Sequence, residues 1–380
     1  MTEWKSYKLA DVCSRLRSGK TISATSVSPN GKYAVIGGNG VRGYTEKSNF
    51  KGQCVVVGRQ GAYCGNVRYF DGEFYMTEHA VVIVGNEYAN THYLAYLLST
   101  MELGHLSAQS AQPGLSIQTL SKLEIYLPPL SQQQRIVNLL GALDHKIEIN
   151  RRINDNLEQQ AQALYKSWFV DFEPFKDGGF VESELGLIPK GWSTGSIYKY
   201  VNVIYGAPYK STLFNENKEG YPLIRIRDLK TFSPQFYTTE VLPQTEYIKS
   251  GDVVAGMDAE FIPCLWQGET GVLNQRCCKF VCKDKEINNL FVLHLVKPEL
   301  EYVQSYKTGT TVSHLGKADI DRFIVILPDE AIVHQFSKIC RPLLDEQNKC
   351  AVENRRLTNL RDALLPKLMS GELKINDLDC

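Results

Sequence analysis

"SQQQRIVNLLGALDHKIEINRRINDNLEQQAQALYKSWF", residues 131–169, contains no proline and one glycine, Gly141. Ser131 offers an N-cap hydroxyl to a helix that starts here. Ile136, Leu143, Asn150, Leu157 and Leu164 recur every seven residues, and Leu140, Ile147, Asn154, Ala161 and Trp168 follow each by four. Alternating steps of three and four make a coiled-coil seam five heptads long. At 1.5 Å per residue, about 38 residues form a rod of roughly 57 Å, longer than a small domain is wide. Such a stripe needs a partner helix. Asn150 and Asn154 interrupt it at the middle, where buried amides cost stability but fix register and partner orientation.

The partner comes from a repeat. Trp4 is answered by Gly191-Trp192, "SGKTIS" at 18–23 by "YGAPYKS" at 205–211, and Tyr33-Ala-Val-Ile by Tyr221-Pro-Leu-Ile. "VVVG" at 55–58 matches "VVAG" at 253–256, and "MTEH" at 76–79 stands where "LNQR" stands at 273–276. Leu115, Leu120, Leu123, Ile125 and Leu127 find Leu315, Ile320, Phe323, Val325 and Leu327, all 200 residues on. Each half closes with a helical segment carrying "NRR", at 150–152 and 354–356. In the second segment Pro342 is expected to break or kink the helix, with the seam resuming at Leu357, Leu360, Leu364 and Leu368 until Pro366 and Gly371 stop it. The expected fold is α/β of the α+β kind. Two globular units, 1–126 and 176–327, are separated by two long helices, 127–175 and 328–380, paired as an antiparallel coiled coil in a pseudo-two-fold dumbbell.

Composition sets limits on function. With 380 residues and 43% hydrophobic content the chain can build more than one core. No apolar run reaches a membrane span and the N-terminus lacks a signal-peptide core, so a cytoplasmic location with no membrane partner is expected. Ten cysteines have no paired C-x-x-C spacing; Cys277, Cys278 and Cys282 fall in a strand-like stretch, so reduced thiols and no metal site are expected. A formal net charge of zero means that any grip on nucleic acid is local or shared with a partner.

A rod that holds two similar modules suits a ligand that repeats along an axis. In duplex DNA, with 3.4 Å of rise per pair, roughly 57 Å is about 17 base pairs. The modules carry loops rich in the side chains that read bases and phosphates: "GGNGVRGY", "GRQGAYCGNVRY" and "SAQSAQPGLS" in the first, "RIRDLK", "AGMDAEF", "LNQR" and "TGTTVSHLG" in the second. Arginine can donate twice to guanine, Asn or Gln can pair with adenine, and Gly-rich backbone can approach phosphates. Candidate DNA contacts are Gly40, Arg42, Arg59, Gln60, Arg68, His79, Gln109 and Gln112 in the first unit. In the second they are Lys210, Arg225, Arg227, Asp258, Asn274, Arg276, Thr310 and His314.

Gly38-x-Gly40-x-x-Gly43 invites a different reading, as a dinucleotide-binding turn. That chemistry needs a helix behind the glycines. "TEKSNFKGQ" has no helical period and reads as an exposed loop, and the strand "CVVVG" at 54–58 ends in Gly58-Arg59 where a ribose-binding acid is wanted. No G-x-x-x-x-G-K-[ST], G-x-S-x-G or H-E-x-x-H is present, and the acids of "VKPEL" and "LPDE" read as parts of connections.

Taken together, "LPPLSQQQRIVNLLGALDHKIEINRRINDNLEQQAQALYKSWFVDF" at 127–172, "GLIPKGW" at 186–192, "GDVVAGMDAEF", "LNQRCCKF" and "TGTTVSHLGKADI" resemble the specificity subunit of type I restriction–modification systems. The resemblance spans essentially the whole chain. It implies a non-catalytic subunit in which two target-recognition domains each read one half of a split, asymmetric DNA sequence. The helices would act as rulers and dock two modification subunits, which carry S-adenosylmethionine and methylate adenine; restriction subunits would supply ATP- and Mg-dependent translocation and cleavage. No cofactor is expected in this chain. "RIRDLKTF" lacks the glycines of "GGNGVRGY", so the second unit would approach DNA through Arg225, Arg227 or Lys230. The alternatives are a fragment of a fused restriction–methylation enzyme, a nucleotide-dependent enzyme using Gly38 to Gly43, or a coiled-coil adaptor, which would leave the polar loops idle.

Overall fold

The computed structural model describes residues 4–107, 114–307 and 313–375. The chain divides into two compact units, one made of residues 1–145 and 357–380, the other of 146–356.

The first unit runs β1 (Lys5–Lys8), β2 (Cys13–Ser18), β3 (Tyr33–Gly37), β4 (Gly40–Thr45), β5 (Phe50–Gly58), β6 (Val67–Met76), β7 (Ala80–Gly85), α1 (Thr91–Ser99), α2 (Ile117–Ser121) and β8 (Glu124–Leu127), then enters α3 (Leu130–Phe169). A six-stranded sheet has the order β2-β7-β5-β6-β3-β4, in which β3 lies parallel to β6 while the other pairs are antiparallel. The continuous apolar run Val55–Val57 is buried on both faces, which suits a central strand. Asn90 caps α1 by accepting from the amides of His92 and Tyr93. The helix then buries Tyr93, Leu94, Leu97 and Leu98 with Val55, Val57, Val81 and Ile83. "TEKSNFKGQ" is only partly loop, because Thr45 ends β4 and Phe50–Gln53 begins β5.

In the second unit the chain continues through β9 (Phe180–Ser183), β10 (Gly186–Pro189), β11 (Ser193–Ser196), β12 (Val201–Tyr205), β13 (Phe214–Asn215), β14 (Tyr221–Ile224), β15 (Tyr237–Thr238) and β16 (Tyr247–Ile248). It then runs β17 (Val253–Gly256), β18 (Pro263–Leu265), β19 (Gly271–Leu273), β20 (Cys277–Cys282), α4 (Asn289–Lys307), α5 (Lys317–Ile320), β21 (Ile324–Leu327) and α6 (Glu330–Ser370). Its larger sheets are β12-β20-β17-β18 and β13-β15-β14-β19-β16, beside the two-stranded ladders β9/β10 and β11/β21.

The repeat seen in the sequence reappears as topology. The order β2-β7-β5-β6 is echoed by β12-β20-β17-β18, and the parallel pair β3/β6 by β14/β19. The β1/β8 ladder is echoed by β11/β21. The single strand β6 becomes two strands in the second unit, β18 and β19, so its sheet is split.

Both long helices contribute to both units. In the first, Ile136, Val137 and Leu140 of α3 share a core with Leu364, Leu365 and Leu368 of α6, and Arg361 Nη1 reaches Asp144 Oδ1 at 2.8 Å. In the second, Asn150 Nδ2 donates to Glu353 Oε2 at 2.7 Å and to Asn354 Oδ1 at 3.0 Å. Further along, Trp168 and Phe169 pack on Phe336. Within each unit the α3 numbers rise as the α6 numbers fall, so the two helices pair antiparallel. Ile136, Leu140, Ile147, Asn150 and Asn154 are buried, while Leu143, Leu157, Leu164, Leu357 and Leu364 are half-buried.

Three further expectations need correction. Helix α6 runs unbroken through Pro342 and Pro366. Each proline removes one backbone hydrogen bond, but Pro342, Pro366 and the residues four before them, Lys338 and Asp362, are exposed, so the freed carbonyls meet water. Burial of Val333, Phe336, Cys340 and Leu344 holds the helix across the defect at Pro342. Leu360 is exposed, not in the seam; the position four after Leu357 is Arg361, paired with Asp144. Lastly, "VKPEL" is no connection: Pro298 lies inside α4, on its exposed side.

Candidate nucleic-acid interface

In the first unit the glycines of "GGNGVRGY" build a hairpin. Gly37 and Gly40 close β3 onto β4, and Gly40 has φ of +106°, a region that favours glycine. A Cβ on Gly38 would lie 3.0 Å from Gly58 Cα and 2.9 Å from His79 O. The bare backbone therefore lets the hairpin lie directly against the turn after β5 and the turn before β7. No helix follows these glycines; β4 does.

Predicted contacts gather around this junction. Arg68 Nη2 donates to Asn39 Oδ1 at 3.3 Å, and the guanidinium lies beside Gly40. Gln60 Oε1 and His79 Nδ1 are 3.1 Å apart, and Arg59 N donates to His79 O at 3.2 Å. Arg42, exposed on β4, folds its stem over Gly37. Gln109 and Gln112 lie outside the described residues. The chain is described again from Gly114, which bridges to Gln60. Sequence reading passed over Asn39, Asn66 and Tyr63. Both asparagines lie in the quoted loops, and Asn66 Nδ2 is 3.4 Å from Asn39 Oδ1; Tyr63 is exposed beside them.

The second unit gathers Asp258, Arg276 and His314. Asp258 Oδ2 is 3.0 Å from Arg276 Nη1, and its Oδ1 is 2.6 Å from His314 Nδ1. Asn274 is buried and structural in its contacts: its Oδ1 accepts from the Arg276 amide at 3.2 Å. Arg225 is also withdrawn. Its guanidinium lies 4.3 Å from the Phe236 ring centroid, and Nε is 3.3 Å from Asp228 Oδ2. By contrast Arg227, on the single 3-10 turn Ile226–Leu229, is exposed, and so is Lys210. Lys230 pairs with Glu260 at 2.5 Å. Thr310 lies outside the described residues.

Burial pushes the thiols of Cys54 and Cys278 up to about 12, so they are protonated at neutral pH. Among the described residues no group of three or more His, Cys, Asp and Glu is placed to hold a metal ion, and no helix is long and apolar enough to cross a membrane.

Two copies of one scaffold, presenting amide, imidazole and guanidinium groups at the loop junction of the first unit and a guanidinium and an imidazole held by a carboxylate at that of the second, define a recognition protein. The chain belongs to the family described as the type I restriction modification DNA specificity domain, which matches residues 1–159 and 189–354. Its place in such a system is that of the DNA specificity subunit, non-catalytic by family. The type I restriction enzyme MjaIX specificity subunit of Methanocaldococcus jannaschii is 28% identical over 76% of this chain and 70% of that one. The HindI specificity subunit of Haemophilus influenzae is 25% identical over 98% and 100%. In structure, the fold is similar to the type I restriction–modification S subunit from M. genitalium, with a TM-score of 0.57 and 17% identity over 97% of this chain and 96% of that one.

Proposed function

We propose that each unit reads one half of a bipartite, asymmetric DNA sequence, with residues 1–126 and 176–327 as the two target-recognition domains. The helical segments 127–175 and 328–380 set the spacer between the half-sequences and dock two modification subunits. The observation that carries this reading is the repeated loop junction, which is the same in backbone and different in side chains. One scaffold used twice positions two sets of donors alike, and the exchange of Gln60 and His79 for Asp258 and Arg276 gives the two sets different base preferences. Arg42, Arg59, Gln60, Arg68 and His79 face the first half; Arg227, Lys210, Arg276 and His314 face the second.

On this reading S-adenosylmethionine belongs to the modification subunits, and ATP with Mg to the restriction subunits. The chain's zero net charge fits a shared grip, in which partner subunits add phosphate contacts. The test is co-purification with the modification subunits, followed by mapping of N6-methyladenine in DNA from cells that express the complex. A split motif is expected. Arg68→Ala or Arg42→Ala should relax one half of it and Arg227→Ala the other, each by about 1–3 kcal/mol where a good base contact is lost. A continuous motif, or loop variants that alter both halves alike, would overturn the proposal.

A further inference from the structure

The junction is alike in the two units down to single hydrogen bonds. In the first unit Arg59 N donates to His79 O at 3.2 Å and Leu115 N to Arg59 O at 2.8 Å. In the second, Met257 N donates to Arg276 O at 2.8 Å and Leu315 N to Met257 O at 2.7 Å. An antiparallel bridge completes each, Gln60 with Gly114 and Asp258 with His314. Gln60 and Asp258 therefore hold one structural position, and His79 and Arg276 another. In the first unit the pair is an amide beside an imidazole. In the second it is a carboxylate that serves two donors at once.

That carboxylate is not placed to meet DNA itself. Its side chain is 21% exposed, beneath Arg276 and His314 at 54% each, and each oxygen is already engaged. Carboxylates accept hydrogen bonds and are repelled by phosphates, so a half-buried aspartate beneath two exposed donors is best used to aim them. The guanidinium has five N–H donors in a rigid plane. With Nη1 turned to Asp258, the rest of the fork stays available for two parallel bonds to guanine O6 and N7. A guanidinium already held in place also loses less freedom when it binds.

We infer that Asp258 is a positioning residue that holds Arg276 and His314 as a fixed donor set selecting guanine in the half-sequence read by the second unit. At the equivalent position in the first unit, Gln60 and His79 supply a different preference. The inference rests on the reading that each unit contacts DNA.

The experiment uses the complex with its modification subunits, acting on a DNA library randomised in both half-sequences. Arg276→Ala and Asp258→Asn should each lower the preference for guanine about tenfold or more at one and the same position. The other half-sequence and the spacer should not change. A merely structural Asp258 would weaken every position of its half together, so relaxation at a single position is the deciding readout. If Arg276→Ala relaxes a guanine and Asp258→Asn does not, the positioning role fails while base reading by the unit stands. A relaxed position that is not guanine overturns the base assignment. Should Asp258→Asn fail to fold, Asp258→Ser keeps a small hydrogen-bonding side chain but has no charge to hold both donors, and an unchanged guanine preference would then contradict the inference. If no loop variant in either unit alters a half-sequence, the underlying reading of the two units fails instead.

Discussion

His294, on α4, lies 3.7 Å from Glu158 Oε1 with its side chain 3% exposed. The distance suggests an ion pair, but burial, reinforced by the charge of Lys297, brings the imidazole down to about 4, and burial raises the Glu158 carboxyl. Desolvation outweighs attraction here, so His294 is neutral at pH 7. Its folded pKa lies below the unfolded value of about 6.5, and between the two only the unfolded chain takes up the proton. Its contribution to stability is therefore complete above about pH 6.5 and is lost as pH falls toward 4, by up to about 3 kcal/mol. Chemical unfolding at pH 7 and pH 5 should show His294→Leu losing less stability on acidification than the parent protein. Equal losses would mean that the imidazole is not buried neutral. Glu158 acts in the opposite sense, so the difference between the two proteins isolates His294. Arg225 shows the limit of reading at this scale. In sequence it looks like Arg227, and only the fold reveals that Phe236 and Asp228 claim one and leave the other exposed.

Asn150 and Asn154 show what a heptad pattern can and cannot tell. Their seam positions and their burial follow from spacing alone, as does the antiparallel partner once the repeat is seen. Their hydrogen bonds do not, because they depend on which residues of α6 arrive opposite. Asn150 meets Asn354 and Glu353, and Asn154 Nδ2 reaches Gln347 O at 3.4 Å, while the Oδ1 atoms of both asparagines are buried without a partner among the described residues. Asn150→Leu alone leaves Asn354 unpaired and should cost about 1–2 kcal/mol. Asn150→Leu with Asn354→Leu replaces a polar layer by an apolar one and should recover that loss or exceed it, as read by thermal unfolding. A double variant no more stable than the single would show that the layer does not act as a pair. The unbroken α6 and the outward Leu360 were hidden for the same reason. Proline propensity and apolar spacing are local, whereas the outcome was decided by which carbonyls face water and by the pairing of Arg361 with Asp144.

The whole chain uses one scaffold twice, and both long helices run through both units. If the helices measure the spacer, its length should change independently of what the loops read. The most direct measurement is methylation-motif mapping after a matched insertion of four residues in each helix, between His145 and Lys146 in α3 and between Arg356 and Leu357 in α6. Placed at the boundary between the two units, the insertions leave each unit's own contacts intact. Four residues are close to one helical turn and add about 6 Å, against about 3.4 Å of rise per base pair. The seam stays roughly on one face, with a stutter that locally unwinds the pair. Both half-sequences should be retained and the unspecified spacer should grow by one or two base pairs. An altered half-sequence, or an unchanged spacer in a complex that still methylates, would contradict the account.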